Sequence, residues 1–193
     1  QYRAAGADVL LDEQFYCPEF CNTGILTYPT HEFRMPVSDL QQLTDTQLAR
    51  LSDTIRDTNQ TLETSGILAP AVPYEASRPD IVELNAKLHA AAKIAGDALG
   101  KPTYATIVLG RSATTAMGPV YEALSAATAL RADGFYYSYE FDGSRISAAE
   151  VDVRGCCLAG VAWASTGIPV LHAYAGPMAL LSPGFGSRAV GIG

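Results

Sequence analysis

Apolar residues along the chain follow two alternating regimes: short runs bounded by turn formers, and longer stretches in which they recur at helical spacing. The short runs are "ADVLLDE", "ILAPAVP", "TYATIVLG", "FYYSYEF", "IPVLHAY" and "AVGIG". They lack the clean alternation of a half-exposed strand, as expected where both faces of a parallel strand are covered. Between them the spacing predicts helices. Leu40, Leu43, Leu48, Leu51, Ile55 and Leu62 mark the first, with Ser38 or Asp39 as its cap and Gly66 as its stop. A second spans "RPDIVELNAKLHAAAKIAGDALG", with Pro79 in its first turn and Gly100 ending it. Others begin near Met117, run through "SRISAAEVDVRGCCLAGVAWASTG", and form a short turn at "PMALLSPGFGS".

Strands alternating with helices throughout predict an α/β fold with a parallel sheet and right-handed crossovers. Repeated strand–helix units of this kind fit a TIM-like (β/α) barrel, or an incomplete part of one, and alternatively an open doubly wound sheet. The open sheet should carry a Gly-rich phosphate loop, and neither GxGxxG nor GxxxxGK[ST] occurs. The nearest approach is "LGRSATTAMG", where Arg111 and the start of a helix could hold an anion. Ser112, Thr114 and Thr115 serve equally well there as helix caps.

Composition narrows the partners. With 193 residues and 48% hydrophobic content the chain can bury a substantial core, and a single α/β domain over 1–193 is expected. A net charge of -7 and the absence of any Lys/Arg-rich run speak against nucleic acid and anionic lipid as partners. "CCLAGVAWA" falls well short of the ~20 apolar residues that span a bilayer. A small-molecule substrate, no membrane and a cytoplasmic location follow as expectations, with a homo-oligomer as a further one. The chain opens on Gln1 and stops directly after a strand-like piece, so either a leader has been removed or, as expected, it is an excerpt of a longer polypeptide. Cys17 and Cys21 in "CPEFC" and the adjacent Cys156 and Cys157 lack zinc-ribbon spacing and read as buried thiols, with disulfides or a metal site as the alternatives. "NQT" at Asn59 matches a glycosylation triplet but falls in a predicted helix.

Ligands of parallel α/β sheets bind at the carboxyl ends of the strands. The predicted ends carry Asp12 and Glu13, then Tyr74 and Glu75, Arg111 and Ser112, Tyr139, Glu140 and Asp142, and finally His172 and Tyr174. The amino ends carry mostly turn formers. Asp12, Glu75, Glu140, Asp142 and His172 are therefore the candidate catalytic residues, and Glu13, Tyr74, Arg111, Ser112 and Tyr174 the candidate substrate contacts. No resident cofactor or metal is predicted, although these carboxylates would suit a hard divalent ion. His31 and His89 read as solvated or packing residues. In "FYYSYEF", Tyr136, Ser138 and Glu140 share one face, and a barrel would turn Ser138 or Glu140 inward.

The run from "DGFYYSYEF" through "LAGVAWASTGIPVLHAYAGPMALLSPGFGSRAVGIG", with "GADVLLDEQFY" and "GKPTYATIVLG" before it, resembles in layout the barrels of the tRNA-guanine transglycosylase superfamily. The resemblance implies glycosidic bond cleavage by an aspartate nucleophile and exchange of a purine-like base in tRNA. It makes Asp12 and Asp142, aspartates at strand ends, the corresponding candidates. The family's CxCxxC zinc motif is absent, and the negative charge departs from a tRNA-binding surface.

Three functions compete. The first is a barrel enzyme acting on a small polar or glycosidic substrate, of transglycosylase or hydrolase type. The second is a noncatalytic binding or assembly protein that associates through "PMALLSPGFGS" and "CCLAGVAWA". The third is a metal-dependent hydrolase that uses the rim carboxylates and His172.

Overall fold

The computed structural model describes residues 8–13, 15, 28–33, 36–110, 117–139, 150–173, 184, 187 and 189–190. Among these the strands are β1 (Ile67–Leu68), β2 (Thr103–Leu109), β3 (Gly134–Tyr139), β4 (Val170–His172) and β5 (Ala189–Val190). The helices are α1 (Val37–Leu40), α2 (Asp45–Thr61), α3 (Pro79–Leu99), α4 (Met117–Ala129) and α5 (Glu150–Ala164), preceded by a 3-10 turn at Pro29–Phe33. Strand order in the sheet is β1-β2-β3-β4-β5, and the β1–β2, β3–β4 and β4–β5 pairs are parallel. The fold is α/β with a parallel sheet. None of the described helices is long and apolar enough to cross a membrane.

The chain forms two compact units, Gln1–Val72 with Glu83–Tyr104 and Pro73–Val82 with Ala105–Gly193. In the first, α2 buries Leu51 and Ile55. Its start corrects the prediction of one helix capped at Ser38 or Asp39. Thr44 accepts from the Gln47 backbone while the Gln47 side chain accepts from the Thr44 backbone, and this reciprocal box starts a new helix after α1. Gly66 is not the stop either. The turn comes earlier, where Glu63 takes φ 50° and the Thr64 and Glu63 amides close onto the Asn59 and Gln60 carbonyls. Gly66 instead permits close approach, since a Cβ there would lie 2.8 Å from the Tyr104 ring.

α3 ends as predicted. Gly100 sits at φ 65°, and the Lys101 and Gly100 amides bond the Gly96 and Asp97 carbonyls. One turn earlier, α3 presses Gly96 against β2, where an added Cβ would fall 2.1 Å from Thr103 Oγ1. The strand expected at "ADVLLDE" does not form among residues 8–13. Ser65 is the local cause: its hydroxyl takes the Val9 N–H at 3.0 Å while its amide donates to the Val9 carbonyl at 2.7 Å, so a side chain stands where a ladder partner would. "ILAPAVP" is likewise shortened, because Pro70 and Pro73 have no N–H to give. Pairing lapses after Leu68 and returns as a single parallel bridge from Tyr74 to Leu109.

In the second unit β3 pairs with β4 in the register Phe135–Val170, Tyr136–Leu171 and Tyr137–His172. Phe135 and Tyr137 are fully buried against Trp163 of α5, with ring centroids 5.6 and 6.5 Å away. Period-2 alternation puts Tyr136 and Ser138 on the opposite face. The predicted turn at "PMALLSPGFGS" lies almost wholly outside the described residues.

Candidate functional site

Five of the predicted site residues, Arg111, Ser112, Glu140, Asp142 and Tyr174, lie outside the described residues. The other five divide between the two units. Asp12 and Glu13 are half-buried in the first, where the Thr30 hydroxyl donates to Glu13 Oε2. Thr30 is itself buried in the 3-10 turn, so the turn anchors this carboxylate.

Tyr74 and Glu75 belong to the second unit and stand at the carboxyl end of β2. The Tyr74 amide donates to the Val108 carbonyl at 2.7 Å, and the Gly110 amide donates to the Tyr74 carbonyl at 2.9 Å. Tyr74 is buried. Glu75 is exposed, and its Oε2 lies 3.5 Å from Arg78 Nη1. Arg78 faces the other way as well, forming a two-pronged pair with Asp80 at 2.7 to 3.2 Å. The Asp80 hydrogen bonds hold the guanidinium protonated beyond its ordinary range. Glu75, Arg78 and Asp80 thus form one charged series running from the Tyr74 bridge into the first turn of α3. Arg78 and Asp80 were not among the sequence candidates; their signal was an Arg–Pro–Asp start to a helix immediately after a strand end.

His172 is buried, and its register partner Tyr137 places it on the Trp163 face of the sheet rather than the Ser138 face. The imidazole stacks on the Tyr137 ring, and desolvation lowers its pKa from 6.5 to about 4. It is neutral at pH 7. A neutral imidazole can accept or donate a proton, but this one is layered among aromatics, apart from the Glu75 series in chemical character. Ser138 is buried on the face that a barrel would turn inward.

His89 is buried on α3, in keeping with a packing role. Cys157 is a free, half-buried thiol whose pKa is pushed up by burial, which makes it a poor nucleophile. Asn59 is 4% exposed and donates its side-chain amide to the Ile55 carbonyl, so the folded chain does not present the "NQT" triplet. Among the described residues no group of three or more His, Cys, Asp or Glu side chains is gathered as a metal would require. No protein-family model, curated protein or solved structure matches this chain.

Proposed function

We propose that the chain is the scaffold of a TIM-barrel-type enzyme that acts on a small polar or glycosidic substrate with carboxylates at the carboxyl ends of its strands. The observation that carries this reading is the unbroken strand order β1-β2-β3-β4-β5, with Glu75 beside the carboxyl end of β2. A doubly wound sheet reverses its order at a switch point, whereas a barrel adds each strand beside the last. Sequential order therefore favours the barrel over the open sheet.

Within this reading Glu75 supplies the acid, base or nucleophile, with Arg78 beside it to hold the carboxylate or an anionic group of the substrate. His172 is a support, holding β3 and β4 together beneath α5. The glycosidic substrate class follows from the layout resemblance to transglycosylase barrels, and the net charge of -7 directs it toward free nucleosides or glycosides rather than tRNA. The test is release of base or aglycone from a panel of nucleosides and aryl glycosides. Glu75→Gln should lower turnover by about 10²-fold or more with the melting temperature preserved. A wild-type chain inert on the whole panel, or an equally active Glu75→Gln, would overturn it.

A noncatalytic assembly role is the second reading, and one observation favours it. Tyr121 on α4 and Val161 on α5 are 57% and 50% exposed on two helices that pack together. Large apolar side chains so placed suit an association surface. Light scattering that finds a monomer at high concentration would remove this reading.

A further inference from the structure

The segment after β1 is one residue longer than the stretch of β2 it accompanies. Leu68 is level with Tyr104 and Tyr74 is level with Leu109, so five residues, 69–73, separate the two pairings on one side and four, 105–108, on the other. An extra residue on one side of a strand pair is a bulge, and it reverses the faces of every side chain that follows. Strict alternation from Leu68 would put Tyr74 on the Leu68–Tyr104 face. Its bridge to Leu109 puts it on the face of Ala105, Ile107 and Leu109 instead. Alternation from Tyr74 then assigns Glu75 to the opposite face, that of Thr106 and Val108.

A bulge leaves backbone groups without ladder partners, and buried ones must be met elsewhere. Here a single side chain meets both groups of one residue. The Val72 amide donates to Asn85 Oδ1 at 2.9 Å, and Asn85 Nδ2 donates to the Val72 carbonyl at 3.0 Å. Asn85 is 2% exposed and rises from α3 at a position where its neighbours Ile81, Leu84 and Leu88 are buried and apolar. An asparagine there is costly unless its amide is fully used, and the Val72 peptide uses it.

We propose that Asn85 is a positioning residue: by binding both backbone groups of Val72 it holds the bulge after which Tyr74 pairs with Leu109 and Glu75 follows on the Val108 face. The consequence for catalysis rests on the enzymatic reading above, whereas the bulge itself can be tested without it. Amide hydrogen exchange separates the two. In Asn85→Asp, which keeps the acceptor and loses the donor, and in Asn85→Ala, the Tyr74 and Gly110 amides should exchange about tenfold faster or more. The Ile67 and Ala69 amides, bonded to the Pro102 and Tyr104 carbonyls, should keep their protection. In the wild type the Val72 amide should be protected despite lying outside any ladder, a result that needs no variant to fold. Unchanged protection at Tyr74 and Gly110, or equal loss at all four amides, would overturn the proposal. Local loss at Tyr74 and Gly110 accompanied by a fall in turnover beyond the fall in folded fraction supports both proposals. Local loss in a chain with no wild-type turnover supports the bulge and overturns only the enzymatic reading.

Discussion

The His172 imidazole lies on the Tyr137 ring with centroids 4.3 Å apart and planes inclined by 13°. The two residues are register partners on β3 and β4, so the stack ties adjacent strands together at the side chain as well as the backbone. Its strength depends on a neutral ring, because protonation would place a charge where water cannot reach.

That dependence gives a pH signature. The folded pKa of His172, about 4, lies below the unfolded 6.5, so the unfolded chain binds the extra proton as pH falls through this window. The contribution is complete above pH 6.5 and is lost progressively between there and pH 4. At pH 4.5 the wild type should have lost about 2 to 3 kcal/mol from this group relative to pH 7. Urea unfolding of the wild type and His172→Phe at both pH values checks it: the variant should lack this increment and keep only the decline due to carboxylates.

Gly96 and Gly118 make opposite predictions for the same substitution. At Gly96 an added methyl meets Thr103 Oγ1 at 2.1 Å and the Lys101 carbonyl at 3.1 Å, while at Gly118 nothing among the described residues lies within 4 Å. Gly96→Ala should destabilise by about 1 to 3 kcal/mol through overpacking of α3 on β2. Gly118→Ala should stabilise by up to about 1 kcal/mol through helix propensity. Thermal melts of the two variants decide the matter by sign alone.

Glu63 closes α2 in the left-handed region at φ 50°, a conformation that glycine adopts without strain. It also puts an acidic side chain at the negative end of the helix. Glu63→Gly should raise stability by about 1 kcal/mol, a shift of about 3 °C in melting temperature for a chain of this size.

Trp163 is the sole tryptophan, fully buried, and its indole Nε1 has no hydrogen-bond partner among the described residues. Trp163→Ala should cost about 3 to 5 kcal/mol by opening a cavity beside Phe135 and Tyr137. Trp163→Phe should cost less than half as much, since the ring is largely replaced and an unmet donor is removed. Intrinsic fluorescence of the wild type, blue-shifted when folded, reports the same site directly.

The alternation of strand and helix was readable because each regime has its own hydrophobic period, and β2, β3, α3 and α4 lie close to where the pattern put them. What the pattern misjudged was settled by side chains that compete with backbone pairing. Ser65 stands in for a strand partner of Val9, Asn85 for one of Val72, and the Thr44–Gln47 box divides one predicted helix into two. The box was present in "TDTQ" and could have been found; the other two need contacts between residues far apart in sequence. The rim was legible in part. Tyr74 and Glu75 do stand at a strand end, but the face each occupies depends on a bulge that periodicity cannot reveal, and His172 faces Trp163 because register, not composition, sets its side.

The sequential parallel order also governs how the chain reaches its folded state. Ile67 meets Thr103 and Phe135 meets Val170, so each pairing can form only after a whole intervening helix has been brought round. Such distant pairings are slow to nucleate, whereas α2 and α3 can form early from local contacts. Refolding should therefore recover far-ultraviolet helical signal well before Trp163 becomes enclosed, and the exposed strand edges of that interval are where self-association would compete with completion.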